Sequence, residues 1–98
     1  DPTYAGINSL CLLAQVRERL QGSGIEIINI DAVVMAQAPK LAPHVDAMCA
    51  SMAAVLEVSS RSISVKATTT EHLGFVGRQE GMAAQATTLL RVPASLDV

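Results

Sequence analysis

The chain has 98 residues, of which 50% are hydrophobic and 16% are charged, and its formal net charge is -2. This length fits one small domain, and the apolar composition excludes a disordered chain, which needs low hydrophobicity and high net charge. We expect no nucleic-acid partner and no membrane span, because the sequence has no cluster of Lys and Arg and no apolar run of roughly 18–20 residues.

Aromatic side chains are scarce, since Tyr4 and Phe75 are the only two. A core of Ala, Val, Ile, Leu and Met buries little area per residue, so we expect part of the burial to come from other copies of the chain. Cys11 and Cys49 fall in predicted helices at no metal-ligand spacing, which favours free thiols and a reducing compartment.

The first predicted helix begins at Asn8 and Ser9, which both favour helix N-caps, and ends at the turn of residues 22–24. Its apolar positions recur at helical spacing and are Leu10, Leu13, Val16 and Leu20. Residues 25–35 are rich in β-branched side chains and almost continuously apolar, which predicts a central strand buried on both faces. One face of this strand would carry Ile28, Ile30, Ala32 and Val34.

A second helix is predicted after Pro43, which suits a first helical turn, and Asp46 would lie near its positive end. Two further strands are predicted at residues 62–66 and 82–92, both from alternation of polar and apolar side chains. On the last strand, one face would carry Met82, Ala84, Ala86 and Leu90. The order helix, strand, helix, strand, strand predicts a single α+β domain with a mixed β-sheet and helices packed on one face.

Two polar segments follow predicted strands, where binding loops often leave a rigid sheet. Residues 36–42 offer free backbone groups and one cation, Lys40. Residues 68–71 are three threonines and Glu71, and hydroxyls suit phosphate oxygens while a carboxylate beside phosphates suits magnesium. The plainer interpretations are a strand end with an ordinary cap, and a surface lysine.

Other candidate groups have weaker patterns. His44 and His72 lack any ligand spacing, so a helix start or a surface position is favoured for each. Arg78 and Glu80 lie between two glycines in a segment that is neither a P-loop nor a dinucleotide fingerprint. This segment is either a charged turn or the site of a buried arginine that binds an anion.

Three motifs together carry a family resemblance: Ala-Gln-Ala-Pro-Lys at residues 36–40, Val-Lys-Ala-Thr-Thr-Thr-Glu at 65–71 and Leu-Gly-Phe-x-Gly-Arg-x-Glu-Gly at 73–81. In order and separation they closely resemble the 2-C-methyl-D-erythritol 2,4-cyclodiphosphate synthase family of non-mevalonate isoprenoid biosynthesis. The resemblance extends from Asp1 to about Val92.

The resemblance implies a lyase that acts on 4-diphosphocytidyl-2-C-methyl-D-erythritol 2-phosphate. The 2-phosphate of this substrate attacks the β-phosphorus of its own diphosphate, closes a ring and expels cytidine monophosphate. No side-chain nucleophile is needed, in agreement with the lack of a convincing Ser-His-Asp or Cys-His set. The resemblance also implies a homotrimer whose active sites lie between subunits, with a zinc side from one subunit and a nucleotide side from the next.

By the same resemblance, residues 36–42 would hold the cytosine end, and Thr69 would be the catalytic residue beside the diphosphate. Glu71 would ligate a magnesium or manganese ion that bridges the α- and β-phosphates. The substrate-binding residues implied in this way are Asp1, Ala36, Gln37, Ala38, Pro39, Lys40, Leu41, Ala42, Thr68, Thr69, Thr70, Glu71, Phe75 and Arg78.

One departure from the family concerns zinc, because its Asp-x-His pair and further His fall upstream of the position that matches Asp1. We therefore expect residues 1–98 to be the C-terminal portion of a single synthase domain without the N-terminal zinc-ligand segment, and this chain alone to be inactive. The competing interpretation is a non-catalytic α+β module that oligomerises or binds a ligand. We expect a location in the cytoplasm of a bacterium or, in a eukaryote, in the plastid stroma.

Overall fold

The computed structural model describes residues 8–38 and 40–95. The predicted order of helix, strand, helix, strand, strand is confirmed, and one four-residue helix is added between the last two strands. The elements are α1 (Ser9–Gly22), β1 (Glu26–Met35), α2 (Val45–Leu56), β2 (Ile63–Thr68), α3 (Gly74–Gly77) and β3 (Ala83–Arg91), with 3-10 turns at Ala42–His44 and Ser60–Ser62.

Helix α1 is capped at both ends by local hydrogen bonds. The Asn8 side chain accepts the N–H of Leu10 at 2.7 Å, which confirms the predicted N-cap. At the other end the Ser23 N–H donates to the Leu20 carbonyl at 3.1 Å, and Gly24 adopts a φ of +72° that turns the chain into β1.

The sheet has the order β2-β1-β3, so β1 is the central strand as predicted. It runs parallel to β2 and antiparallel to β3, which makes the sheet mixed. Among the described residues the fold is thus an α+β domain with a three-stranded mixed sheet.

A β-bulge corrects the predicted faces of β1. The pairing with β3 shifts between Ile27 and Asn29, so that Ile28 is the extra residue. An extra residue inverts the alternation of side chains on one side of it. Ile27, and not Ile28, therefore joins Ile30, Ala32 and Val34 against the hydrophobic core.

The core lies between α2 and the sheet. Its buried residues are Ala53 and Leu56 of α2 and Ile63 and Val65 of β2. Helix α2 packs on β2, and α1 packs mainly on α2. The helices therefore cover one face of the sheet near β2, whereas β3 stays exposed over most of its length.

Burial of β1 within the chain is one-sided, and this differs from the predicted burial on both faces. On the side away from the helices, Val33 and Met35 are half-buried, and Asn29 and Asp31 are exposed. A single layer of helices can dehydrate only the face on which it packs.

Across the described ranges 8–38 and 40–95, no helix is long and apolar enough to cross a membrane.

Candidate functional site

The two loops singled out in the sequence lie side by side at one edge of the sheet. Because β1 and β2 are parallel, their last paired residues, Met35 and Thr68, bring both loops to the same edge. The Ala36 N–H donates to the Thr68 carbonyl at 3.0 Å and extends this pairing by one step. Crevices at the carboxyl ends of strands are common ligand sites in open sheets of this kind.

A cleft of about 210 Å³ opens between the loops. Its lining residues are Ala36, Gln37, Lys40, Leu41 and Ala42 from the first loop and Ala67, Thr68 and Thr69 from the end of β2. The structure therefore brings together seven of the residues that the sequence proposed and adds Ala67, whose small apolar side chain carried no separate signal.

The cleft has an apolar floor and one cation at its rim. Ala36 is only 5% exposed, and Leu41 is half-buried. Lys40 is exposed, and no carboxylate of residues 8–38 and 40–95 lies within salt-bridge distance of it. A cation beside an apolar floor suits a ligand with a flat apolar end and an anionic end.

The three threonine hydroxyls have different hydrogen bonds. Thr70 Oγ1 donates to the Leu73 carbonyl at 2.7 Å, so its proton is used within the loop. Thr68 Oγ1 has a long contact of 3.4 Å to the Thr69 carbonyl. Thr69 Oγ1 accepts the Glu71 N–H at 3.2 Å, which leaves its own proton available for an external acceptor.

Glu71 and His72 form a left-handed corner, which we define as these two residues. Their φ angles are 52° and 67°, values that are uncommon for residues other than Gly. Each such residue costs roughly 1–2 kcal/mol, so contacts around the corner must hold it. One of them comes from the first loop, because the His72 N–H donates to Gln37 Oε1 at 3.1 Å.

Helix α3 supports the corner from the other side. Gly77 is buried, and a Cβ atom built on it would overlap the backbone carbon atoms of His72. Only glycine permits so close an approach of two backbone segments. Glu71 does not cap α3, since the N-cap is Leu73, and the plainer interpretation of Glu71 as a cap is wrong.

Phe75 and Arg78 lie outside the cleft. Arg78 Nε is 2.6 Å from Glu80 Oε1, and both side chains are more than half exposed. Within one chain this arrangement is the charged turn, and Arg78 is not a buried arginine there. The Phe75 side chain is 49% exposed.

The remaining predicted residues divide between two groups. Ala38, Thr70 and Glu71 are described but do not line the cleft, and Ala38 and Glu71 are exposed. Asp1 and Pro39 lie outside the described residues. Both histidines are exposed, one at the start of α2 and one in the corner, as favoured from the sequence.

The metal-binding capacity of the site rests on one carboxylate. No group of three or more His, Cys, Asp or Glu side chains that could hold a metal ion lies within the described part of the chain. Magnesium, however, is often bound by one or two carboxylates together with substrate phosphates. Glu71 fits that pattern, whereas a zinc site built from described residues alone does not.

A larger cavity of about 610 Å³ lies at the opposite end of the sheet, near the starts of β1 and β2. Arg17 donates through NH1 to the Val55 carbonyl at 2.6 Å, and its Nε is 3.6 Å from Glu57 Oε2. Gln21 donates to the same Glu57 oxygen at 3.0 Å. These contacts of Arg17, Gln21 and Glu57 link α1 to the end of α2 beside the cavity, although Arg17 Nε itself has no hydrogen-bond partner among the described residues.

Comparisons with known proteins identify the family of this chain. The sequence model of the YgbB family matches residues 1–91. The 2-C-methyl-D-erythritol 2,4-cyclodiphosphate synthase of Desulforamulus reducens is 53% identical over 91 residues, which are 93% of this chain and 58% of that protein. The chain thus spans little more than half the length of this curated relative.

Solved structures share the fold of this chain. The bifunctional IspDF from Campylobacter jejuni matches with a TM-score of 0.84 and 47% identity, over 87% of this chain and 23% of that chain. IspF of Plasmodium falciparum, in complex with CDP, matches with a TM-score of 0.81 and 30% identity, over 93% of this chain and 58% of that chain. A sequence match over nearly the whole length, together with this shared fold, establishes that the chain belongs to the YgbB family.

Proposed function

We propose that the protein acts as a 2-C-methyl-D-erythritol 2,4-cyclodiphosphate synthase. It would convert 4-diphosphocytidyl-2-C-methyl-D-erythritol 2-phosphate to the cyclic diphosphate and release cytidine monophosphate. The relative from Desulforamulus reducens carries this name, and the Plasmodium falciparum neighbour is a complex with CDP. The observation that carries the proposal is the cleft between two loops. These are residues 36–42, here called the lysine loop, and residues 68–71, here called the threonine loop.

The reaction exchanges one phosphorus–oxygen bond for another. An oxygen of the 2-phosphate bonds to the β-phosphorus, and the bond from the β-phosphorus to the bridging oxygen breaks. Cytidine monophosphate leaves with the electron pair of that bond. Since both reacting groups are anionic, the protein must fold the substrate into line and offset negative charge, and no side-chain nucleophile is required.

The residues of the cleft divide this work by position. We assign residues 36–42 to the cytosine end, with the apolar floor beneath the ring and backbone groups at its edge. Lys40 at the rim would pair with phosphate, and Thr68 would lie beside the diphosphate. Thr69, whose hydroxyl proton has no partner within its loop, would donate to an oxygen on which charge builds up.

The metal assignment rests on the family resemblance and on the exposed carboxylate of Glu71. Glu71 would hold magnesium or manganese jointly with the diphosphate, and such an ion supplies charge neutralisation when bound. The resemblance also implies zinc, but the described residues do not fit a zinc site. The proposed contacts also include three residues outside the cleft. These residues, Asp1, Phe75 and Arg78, would contact other parts of the substrate or a neighbouring subunit.

We further propose a homotrimer with active sites between subunits. The uncovered surface of the sheet supports this assembly, because Leu89 of β3 is 56% exposed and Met82, which directly precedes the strand, is 60% exposed. Large apolar side chains that are exposed in one chain favour burial against another copy.

Nucleotide binding tests the proposal. In the intact protein, titration calorimetry with CDP and magnesium should show binding, and Lys40→Ala should weaken it by about 10- to 150-fold, the equivalent of one charge-assisted contact. Arg19→Ala, which removes an exposed cation from α1, is the matched control and should bind CDP normally. If the intact protein does not bind CDP, a non-catalytic module becomes the better interpretation.

A further inference from the structure

A glutamine side chain ties the two loops of the cleft together. Gln37 Oε1 accepts the His72 N–H at 3.1 Å across 35 residues of sequence. Gln37 is half-buried at the edge of the cleft, where its amide oxygen is turned toward the second loop. The Gln37 amide oxygen therefore already accepts a hydrogen bond from within the protein.

We propose that Gln37 is a positioning residue for the metal and diphosphate end of the cleft, and this inference rests on the proposed function. The family resemblance assigns the loop of Gln37 to the cytosine end. The side-chain contact gives Gln37 a second task, which is to hold the left-handed corner in place, and with it the Glu71 backbone, whose N–H donates to Thr69 Oγ1.

The Gln37 to His72 hydrogen bond is needed to fix the position of the corner, because the other described contacts of the corner are with residues close to it in sequence. Thr69 Oγ1 accepts the Glu71 N–H from within the same loop. Gly77 packs on the His72 backbone from α3, only five residues further along the chain. These contacts preserve the shape of the corner, but they do not determine its distance from the lysine loop.

The backbone hydrogen bond between the two loops lies at the ends of β1 and β2, away from the corner. The Ala36 N–H to Thr68 carbonyl bond of 3.0 Å joins their bases at the sheet edge. Two residues, Thr69 and Thr70, lie between this bond and Glu71, and rotation about their backbone bonds can displace the Glu71 side chain. The Gln37 bond to His72 restrains that movement at the far end.

Three variants of the intact protein separate this role from a general effect on folding. Gln37→Met keeps the length of the side chain and removes the amide oxygen. Gln37→Glu restores an acceptor oxygen at the same place. Gln15→Met makes the same replacement on the exposed surface of α1 and is the matched control.

The first measurement is the hydrogen exchange of the His72 amide by NMR. Gln37→Met should speed this exchange by about 3- to 10-fold, the range that one neutral hydrogen bond corresponds to. Gln37→Glu should restore slow exchange, and Gln15→Met should leave it unchanged. Unaltered exchange in Gln37→Met would overturn the inference.

The second measurement is the affinity for CDP with and without magnesium. Gln37→Met should weaken binding by a similar factor in saturating magnesium and by a clearly smaller factor without magnesium. Equal losses in both conditions, or no loss in either, would overturn the inference while the proposed function stands. Failure of the unaltered protein to bind CDP would instead overturn the proposed function, and the inference with it.

Discussion

The neighbouring hydroxyls of Thr69 and Thr70 differ in whether their protons are available to a ligand. The Thr70 hydroxyl donates a hydrogen bond to the Leu73 carbonyl. The Thr69 hydroxyl accepts a hydrogen bond from the Glu71 N–H, so its own proton remains available. A hydroxyl with a free proton can stabilise an anionic oxygen, and one that is already donating cannot do so without breaking the loop. The proposed roles of these two threonines therefore differ.

Alanine substitutions at Thr69 and Thr70 should have opposite signatures. Thr69→Ala should lower kcat by the equivalent of about 1.5–3 kcal/mol and shift the melting temperature little, because an interaction made in the transition state is lost. Thr70→Ala should instead lower the free energy of unfolding by about 0.5–1.5 kcal/mol, and Thr70→Ser should restore it. Steady-state kinetics and thermal unfolding of each variant would measure both effects. Unchanged kinetics in Thr69→Ala would contradict the catalytic assignment.

The carboxylate of Glu71 is exposed beside the cleft, and its replacement tests the metal assignment. Glu71→Gln should keep the melting temperature yet need much more magnesium or manganese for half-maximal rate, since hard cations favour anionic oxygen over amide oxygen. Glu18→Gln on α1 removes an exposed carboxylate elsewhere and is the control. Superimposable magnesium titrations of the parent and Glu71→Gln would remove Glu71 from the metal site.

At the scale of elements, the parallel pairing of β1 with β2 decides where the site is. Parallel strands send their following loops to the same sheet edge, so residues more than 30 positions apart meet there. Helix α3 then supports the second loop through the close approach of Gly77 to His72. The site therefore depends on one strand pairing and one short helix.

Two glycine-to-alanine changes distinguish this close approach from ordinary helix effects. Gly77→Ala should lower the free energy of unfolding by about 1–3 kcal/mol, because the added methyl group has no space beside His72. Gly22→Ala meets open space at the end of α1 and should be neutral or stabilise the protein by up to about 1 kcal/mol. Chemical denaturation compares the two. Equal stability of both variants would show that α3 does not need glycine at this contact.

At the scale of the whole molecule, burial in one chain is incomplete. The described residues include six buried hydrophobic side chains, none of them less than 2% exposed. Strand β3 and the second face of β1 have no helix against them. Assembly with other copies is the simplest way to dehydrate this surface, and it supports the proposed trimer.

Light scattering of the intact protein should therefore give three times the mass of one chain. Leu89→Asp should lower this mass, because Leu89 pairs with Asn29 on the uncovered face of the sheet. Val16→Asp changes a similarly exposed apolar residue of α1, which is 48% exposed, and should leave the mass unchanged. A monomer at micromolar concentration would contradict the proposed assembly.

The sequence by itself determined the features that depend on neighbouring residues. The cap at Asn8, the stop at residues 22–24 and the apolar strand that became β1 all follow from local hydrogen bonds, backbone preferences and periodicity. The motifs at residues 36–40 and 65–71 likewise predicted the two loops that line the cleft.

Only the tertiary structure decided which groups those elements bring together. The bulge at Ile28 and the contact between Gln37 and His72 depend on strand register and loop packing. Residue periodicity does not contain that information, because register is set by contacts between distant segments. For the same reason the left-handed corner at Glu71 and His72 could not be read from two residues that rarely adopt that conformation.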